Sequence, residues 1–461
     1  MNNSEDLQAA RMGHAPIGKL LFSMAVPMML SMLVQALYNV VDSVFVAHLS
    51  EDALTAVSMA FPIQNVMIAI AVGIGVGTNA LISRKLGEGN RKEASAFAMQ
   101  GYFLSACAAI IFVFVGFFLT DIFVRTQVDF TQPNGQAIYE GCVSYLRIAC
   151  VLSAGIFFQC LEEKLLTATG KTMLAMTVQM SGALMNIILD PIMIFGLFGC
   201  PAMGIRGAAF ATVIGQCTGG LVGLILGITK NTDLQLKWAD LRPRSSMLGN
   251  ILSISVPSML MMSIMSLLTY LLNMLLIGFS STAVAVSGAF FKLQSFVMMP
   301  IFGINCGMVP IIAYNYGAGN RERVQKVVKL ALLSAVTIMF AGFLVFFFAP
   351  DKLLSLFDPS AAMLEIGIPA LRITSISFVF AGIAVIIGSV CQAFGYAVYS
   401  LITTTARQIV ILLPCAYLLS LSGNVDYIWY AWPIAEIGAI VLSFFFLKRV
   451  FRKTGMHMEK E

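Results

Sequence analysis

The sequence predicts an all-α polytopic membrane protein with twelve transmembrane helices in two pseudo-symmetric bundles of six. Three observations carry this. The 461 residues are 59% hydrophobic and 11% charged, whereas a soluble domain averages about 25% charged residues. Apolar runs long enough to cross a hydrocarbon core of roughly 30 Å follow one another to the C-terminus. The chain also repeats itself at a fixed offset. A β-barrel would instead show short alternating segments. The formal charge of +5 is scattered among loops and gives no nucleic-acid signal.

The N-terminal stretch MNNSEDLQAARMGHAP is polar and mildly acidic, without the basic n-region and h-region of a cleaved signal peptide. Charged clusters, Gly and Pro then punctuate twelve spans near 17–47, 53–83, 94–119, 139–161, 169–195, 206–228, 249–278, 284–313, 326–349, 364–390, 396–421 and 428–448. The longest polar interruption, Lys230 to Ser246, falls at the middle. The expected lobes are therefore 1–229 and 249–461, joined by a cytoplasmic linker at 230–248. With both termini cytoplasmic, 21 Lys and Arg lie inside and 3 outside, which decides the orientation.

The repeat is collinear. Val26-Pro27, Phe61, Gln64, Gly73, Gly77 and Gly87-Glu88-Gly89-Asn90-Arg91 recur 230 residues on as Val256-Pro257, Phe291, Gln294, Gly303, Gly307 and Gly317-Ala318-Gly319-Asn320-Arg321. Leu146-Arg147-Ile148 and Gly170 recur at 225 as Leu371-Arg372-Ile373 and Gly395. Because each half has an even number of spans, the repeats run parallel, with a substrate site expected between them. A duplicated lobe pair fits a carrier that works by alternating access.

The acids break the repeat. Asp42 aligns with Leu272, Asn186 with Ile411 and Asp190 with Cys415. Asn186 and Asp190 stand at i and i+4, on one helix face. In the orientation above, Asp42, Asn186, Asp190 and Thr212 all lie in the outer half of the N-terminal lobe. An ionisable residue within a membrane is functional by default. Two carboxylates in a low-dielectric pocket resist double ionisation, so the pair can take up a proton. Asp42, Asn186 and Asp190 also supply the oxygens a sodium ion wants. The alternative is structural: Asp42 at a helix break, Asp190 at a turn before Pro191. Two acids and an amide at matched depth favour function. Pro27, Pro191 and Pro257 are hinge candidates because proline removes a helical hydrogen bond.

Gln35, Tyr38, Asn39, Phe61, Gln64, Gln294 and Arg407 are candidate lining residues of the substrate cavity, although Arg407 and Glu436 can instead pair with one another. VGIGVG (72–77) lies inside a span and reads as close helix packing. ATGKT (168–172) lacks the first glycine of a phosphate loop. Without an ATP-binding module, coupling must come from an ion gradient. The nine cysteines show no CxxC spacing, and His14, His48 and His457 lie at ends or edges, so no catalytic residue, structural metal or cofactor is expected beyond the coupling ion. The 28 methionines suit either a pliable substrate surface or lipid-facing filling.

The chain resembles the multidrug and toxic compound extrusion (MATE) family over nearly its whole length. The likeness is carried by YNVVDSVFVAHL, the paired GEGNR and GAGNR loops, NIILDPIMIFGLFGCPAMGIRGAAFAT and YIWYAWPIAE. It implies two six-helix bundles forming a V around a central cavity. It also implies a cation-coupled antiporter, using H⁺ or Na⁺, that exports organic and often cationic or amphipathic compounds. The family's N-lobe site matches Asp42, Asn186, Asp190 and Thr212. Some members of the NorM branch add a C-lobe site with acids on the seventh and tenth helices. Here the seventh span has no acid and the tenth has Glu365 only at its start, so the likeness is closer to the DinF-like branch. The expected setting is the inner membrane of a prokaryote, the expected contacts are lipid and a small organic substrate, and one chain is expected to function as a monomer. The rival readings are a dedicated exporter of one natural product and a lipid-linked flippase. The flippase would need Arg147, Lys292, Arg372 and Arg407 free to hold a pyrophosphate.

Overall fold

The computed structural model describes residues 11–128, 130–131, 134–357 and 359–455. His457 and the first ten residues lie outside that set. Among the described residues there is no strand. The helices are α1 (Ile17–Ala47), α2 (Glu51–Gly87), α3 (Arg91–Arg125), α4 (Gly135–Val151), α5 (Ala154–Ala168), α6 (Thr172–Phe195), α7 (Ile205–Lys230), α8 (Ser245–Ile277), α9 (Ser281–Gly317), α10 (Arg321–Phe348), α11 (Ala361–Ser375), α12 (Phe378–Ala393), α13 (Ala397–Ser420) and α14 (Ala431–Lys453). Nine are single helices long and apolar enough to span a membrane. The pairs α4–α5 and α11–α12 are each one span bent by 49°. With α14 the described helices make up twelve spans.

Hydrophobic driving force is weak between helices already in lipid, so small residues and hydrogen bonds fix the packing. Large apolar side chains point outward instead: Phe118, Phe348 and Val441 are exposed, as lipid-facing residues should be.

The two bends fall at matching places in the repeat, and neither is made by proline. A serine stands at each. Ser377 Oγ donates to the Thr374 carbonyl at 2.6 Å, and Ser375 Oγ to the Arg372 carbonyl at 2.8 Å. The backbone N–H groups of Ser153 and Ser377 close short turns onto Cys150 and Thr374. Side chains that bond the backbone locally compete with the helical ladder and bend it.

The chain divides into two compact units, Met1–His14 with Leu30–Met259 and Ala15–Met29 with Leu260–Glu461. The first part of α1 thus packs with the second unit, and the first part of α8 with the first. Each division falls just after a proline of the repeat, Pro27 or Pro257. The repeat extends to local detail: residues 21–30 and 251–260 show the same order of buried and exposed positions. Ser23 and Ser253, four residues before each proline, each bond the carbonyl three residues back.

The segment between α7 and α8 is tied to the first unit. Lys171 pairs with buried Asp233 at 3.1 Å and donates to the Lys230 carbonyl. Gln100 donates to the carbonyls of Asp240 and Arg242 and accepts from the Arg244 N–H.

In the second unit a continuous apolar core runs from Leu20 through Leu272, Phe290, Ile312 and Phe378 to Val450. The first unit has smaller apolar clusters, around Val46, Ala56 and Leu146 and around Ile74, Phe112 and Phe157. A continuous set of polar side chains lies in the same unit.

Candidate functional site

The site is built by the hairpin of α6 and α7. Gly196 ends α6 in the left-handed region (φ 77°), where a side chain would be strained. The returning chain bonds back onto α6, Met203 N–H to the Met193 carbonyl at 3.0 Å and Gly204 N–H to the Ile194 carbonyl at 3.1 Å. The two helices then approach so closely that a Cβ on Gly215 would lie 2.7 Å from the Gly182 carbonyl and 3.1 Å from Asn186 Cβ. This contact sets Asn186 and Asp190 of α6 against Thr212 of α7.

Asn186 and Asp190 are buried, 3% and 0% exposed. Asn186 Nδ2 donates to Asp190 Oδ1 at 3.2 Å and lies 3.4 Å from Thr212 Oγ1. Asp42, on the last turns of α1, is half-buried and its carboxyl neighbours that of Asp190. Asp42 Oδ1, Asp190 Oδ2 and Asn186 Oδ1 are buried with no hydrogen-bond partner among the described residues. The structure thus brings all four residues named from the sequence together. The three unpartnered oxygens and the Thr212 hydroxyl form a hard-oxygen set suited to a small cation. No cluster of three or more His, Cys, Asp or Glu occurs among the described residues.

Tyr145 joins the site and was missed in the sequence. It is 3% exposed, accepts from Gln64 Nε2 at 3.0 Å, and its hydroxyl lies beside Thr212. The signal was present, because at the 225-residue offset Tyr145 aligns with Ala370, the same polar-to-apolar mismatch that marked the acids. Gln35 accepts from Gln179 Nε2 at 2.8 Å, with Tyr38 three residues on along α1. Asn39 and Phe61 are exposed on α1 and α2.

Gln294 and Arg407 belong to the second unit. Arg407 donates to Glu436 at 3.1 Å, so the pairing alternative holds and its charge is taken. It stands in a π-helical segment, Ala406–Leu412, where an extra residue per turn re-aims side chains. Glu365 stands near the start of α11. It faces Asp426 in the connection before α14, and burial, followed by the Glu365 charge, pushes the Asp426 carboxyl up. Pro27, Pro191 and Pro257 each lie inside a continuous helix.

The other cations are also engaged. Arg147 pairs with Asp121 at 2.6 Å, Arg372 donates to the Phe347 carbonyl at 3.1 Å, and Lys292 lies over the Phe357 ring at 6.0 Å. The MatE family model matches the chain twice, over residues 27–192 and 257–418. The chain belongs to the MatE family. The two matches begin at Pro27 and Pro257, in the same register as the internal repeat. Among MatE relatives, the multidrug export protein MepA of Staphylococcus haemolyticus is 27% identical, the match covering 96% of this chain and 95% of the relative. An FAD transporter of Shewanella oneidensis is 24% identical over 95% of each chain. A structure described as the outward-facing conformation of a multidrug resistance MATE family transporter superposes with a TM-score of 0.89 at 25% identity, covering 99% of this chain and all of that one. The MatE assignment makes this a multi-pass membrane transporter.

Proposed function

We propose that the protein is a cation-coupled antiporter that exports organic, chiefly cationic or amphipathic, compounds from the cytoplasm across the inner membrane of a prokaryote. Both termini are cytoplasmic and one chain suffices. The observation that carries the reading is the Asp42–Asp190 carboxyl pair, buried at membrane depth without a cationic partner. A buried acid without a partner is costly and is retained for function. H⁺, or Na⁺ held by Asp42, Asp190, Asn186 and Thr212, binds from outside. It favours the state that has released substrate, and substrate favours the other. Exchange requires that difference in affinity. The MepA relative supports drugs as substrates, while the FAD transporter supports a narrower organic cargo. The four cations a pyrophosphate flippase would need are each engaged elsewhere, which weighs against that reading.

The test is efflux of ethidium or norfloxacin from pump-deficient cells under imposed pH and sodium gradients. Wild type should extrude the dye on one gradient, which names the ion, and Asp42→Asn should not. Undiminished gradient-driven efflux by Asp42→Asn would sink the coupling role of the pair.

A further inference from the structure

A second buried acid lies well below the first. The sequence punctuated the fourth span at 161 because Glu162, Glu163 and Lys164 look like a boundary, but α5 continues to Ala168. Glu163 and Lys164 neutralise one another at 2.9 Å. Glu162 does not share in that pair. It is 2% exposed, and its Oε1 accepts from the Tyr102 hydroxyl of α3. Among the described residues no cation pairs with it.

The surroundings lead from the outer pair to this acid. Along α7, Gly215, Gly219, Gly223 and Gly227 form one face at four-residue spacing. A Cβ on Gly215 would meet Asn186, one on Gly219 would meet Gln159 at 2.8 Å, one on Gly223 Glu162 Cβ at 2.5 Å, and one on Gly227 Glu162 Oε2 at 3.2 Å. The glycines therefore leave a groove on α7 that polar side chains of α5 and α6 fill. At 1.5 Å rise per residue, the groove extends roughly 18 Å from the Asn186 level to the Glu162 level. Hydrogen bonds cross it sideways: Gln159 donates to Gln179, and Gln179 to Gln35. Asn79 of α2 donates to the Lys164 carbonyl at 2.9 Å. Among the described residues, Tyr102 is the titratable group hydrogen-bonded to Glu162. A helix pair held by packing alone has no need of a carboxyl here; Ile387 stands at the corresponding place in the second half, 225 residues on.

We infer that Glu162 is a second, inner proton site of the first unit, joined to the Asp42–Asp190 pair by the polar groove along α7. This rests on the antiport reading above. A proton that leaves the carboxyl pair is accepted by the Glu162 carboxylate, with Tyr102 still donating to the other oxygen. It then leaves Glu162 for water at the helix end that carries Lys164 and Lys171, cytoplasmic in the orientation set by the charge bias. Each transfer moves one proton and leaves one carboxylate behind it ready for the next cycle.

The experiment uses full-length protein in proteoliposomes, with a proton gradient driving ethidium transport, alongside equilibrium ethidium binding and ethidium–ethidium exchange without a gradient. Glu162→Gln keeps size and hydrogen bonding but cannot take a proton. We expect its proton-driven transport to fall at least tenfold while binding and exchange stay within twofold of wild type. Tyr102→Phe, which leaves the acid in place, should transport but with a shifted pH midpoint. Proton-driven transport by Glu162→Gln equal to wild type overturns the inner site. So does a parallel loss of binding and exchange in folded Glu162→Gln, which would make Glu162 structural. An unshifted Tyr102→Phe midpoint counts against it equally. If wild type itself ignores both proton and sodium gradients, the antiport reading falls and this inference with it. If wild type is driven and Asp42→Asn is not, while Glu162→Gln is unaffected, only the inner site falls.

Discussion

The two units carry one helical plan and treat buried polarity in opposite ways. In the first, Asp42, Tyr145, Gln159, Glu162 and Asp190 are buried or half-buried, and among the described residues none of the three acids has a cationic partner. In the second, the corresponding positions are Leu272, Ala370, Ala384, Ile387 and Cys415, and four of the five are buried in apolar surroundings. The buried acid of the second unit, Glu436, is neutralised by Arg407 at 3.1 Å. Duplication supplies the scaffold twice, but one copy keeps these acids without a cation and the other pairs its buried acid locally. On the reading proposed above, the unpaired acids serve coupling and the paired acid serves structure.

The sharpest way to break this contrast is to change one acid in each unit and read both transport and stability. Asp42→Asn or Asp190→Asn should reduce ion-driven efflux to background without lowering the melting temperature of the purified transporter, since no ion pair is lost. Arg407→Met should do the reverse. Removing one partner of a buried ion pair leaves an uncompensated charge and costs about 3–5 kcal/mol. Melting in detergent should drop accordingly, and the double change Arg407→Met with Glu436→Leu should recover most of the loss, because a well-packed apolar replacement is often neutral or better. If Asp42→Asn melts far below wild type, or Arg407→Met melts with it, the division of labour is wrong.

The sequence displayed most of the plan because a bilayer imposes it. Twelve apolar runs, the 230-residue register and the mismatch at Asp42 and Asp190 all follow from residue types alone, and the depth argument put Asp42, Asn186, Asp190 and Thr212 at one level. In the structure they lie five residues before Ala47, nine and five before Phe195, and seven after Ile205. What could not be read was whatever depends on partners far along the chain. Glu162 looked like a boundary because the Tyr102 that bonds it is 60 residues away. Tyr145 gained its place from Gln64, 81 residues away. The bends after Val151 and Ser375 carry no proline at the break, and only the second has serine hydroxyls bonded to the backbone. The division of the chain within α1 and α8 follows from close glycine contacts: Gly303 and Gly307 of α9 lie against Met29 and Ala25 of α1, and Gly73 and Gly77 of α2 lie against Met259 and Ser255 of α8.

A smaller effect separates the units at their helix contacts. In the first, α6 and α7 meet at Gly182 and Gly215, where a Cβ would be 2.7 Å from a carbonyl oxygen. In the second, α12 and α13 meet near Gly388, where a Cβ would be 3.6 Å from Ser400 Oγ, ordinary contact. Gly215→Ala must therefore push backbone aside, and overpacking of that kind costs about 1–3 kcal/mol. The shift also moves Asn186, whose Nδ2 holds Asp190. Both melting temperature and efflux should fall, the second more than the first. Gly388→Ala should leave both close to wild type, or raise stability slightly, since alanine is the better helix former. Equal behaviour of the two variants would mean that the close approach of α6 and α7 does not set the geometry of the carboxyl pair, and that Asn186 is held by something other than the glycine contact.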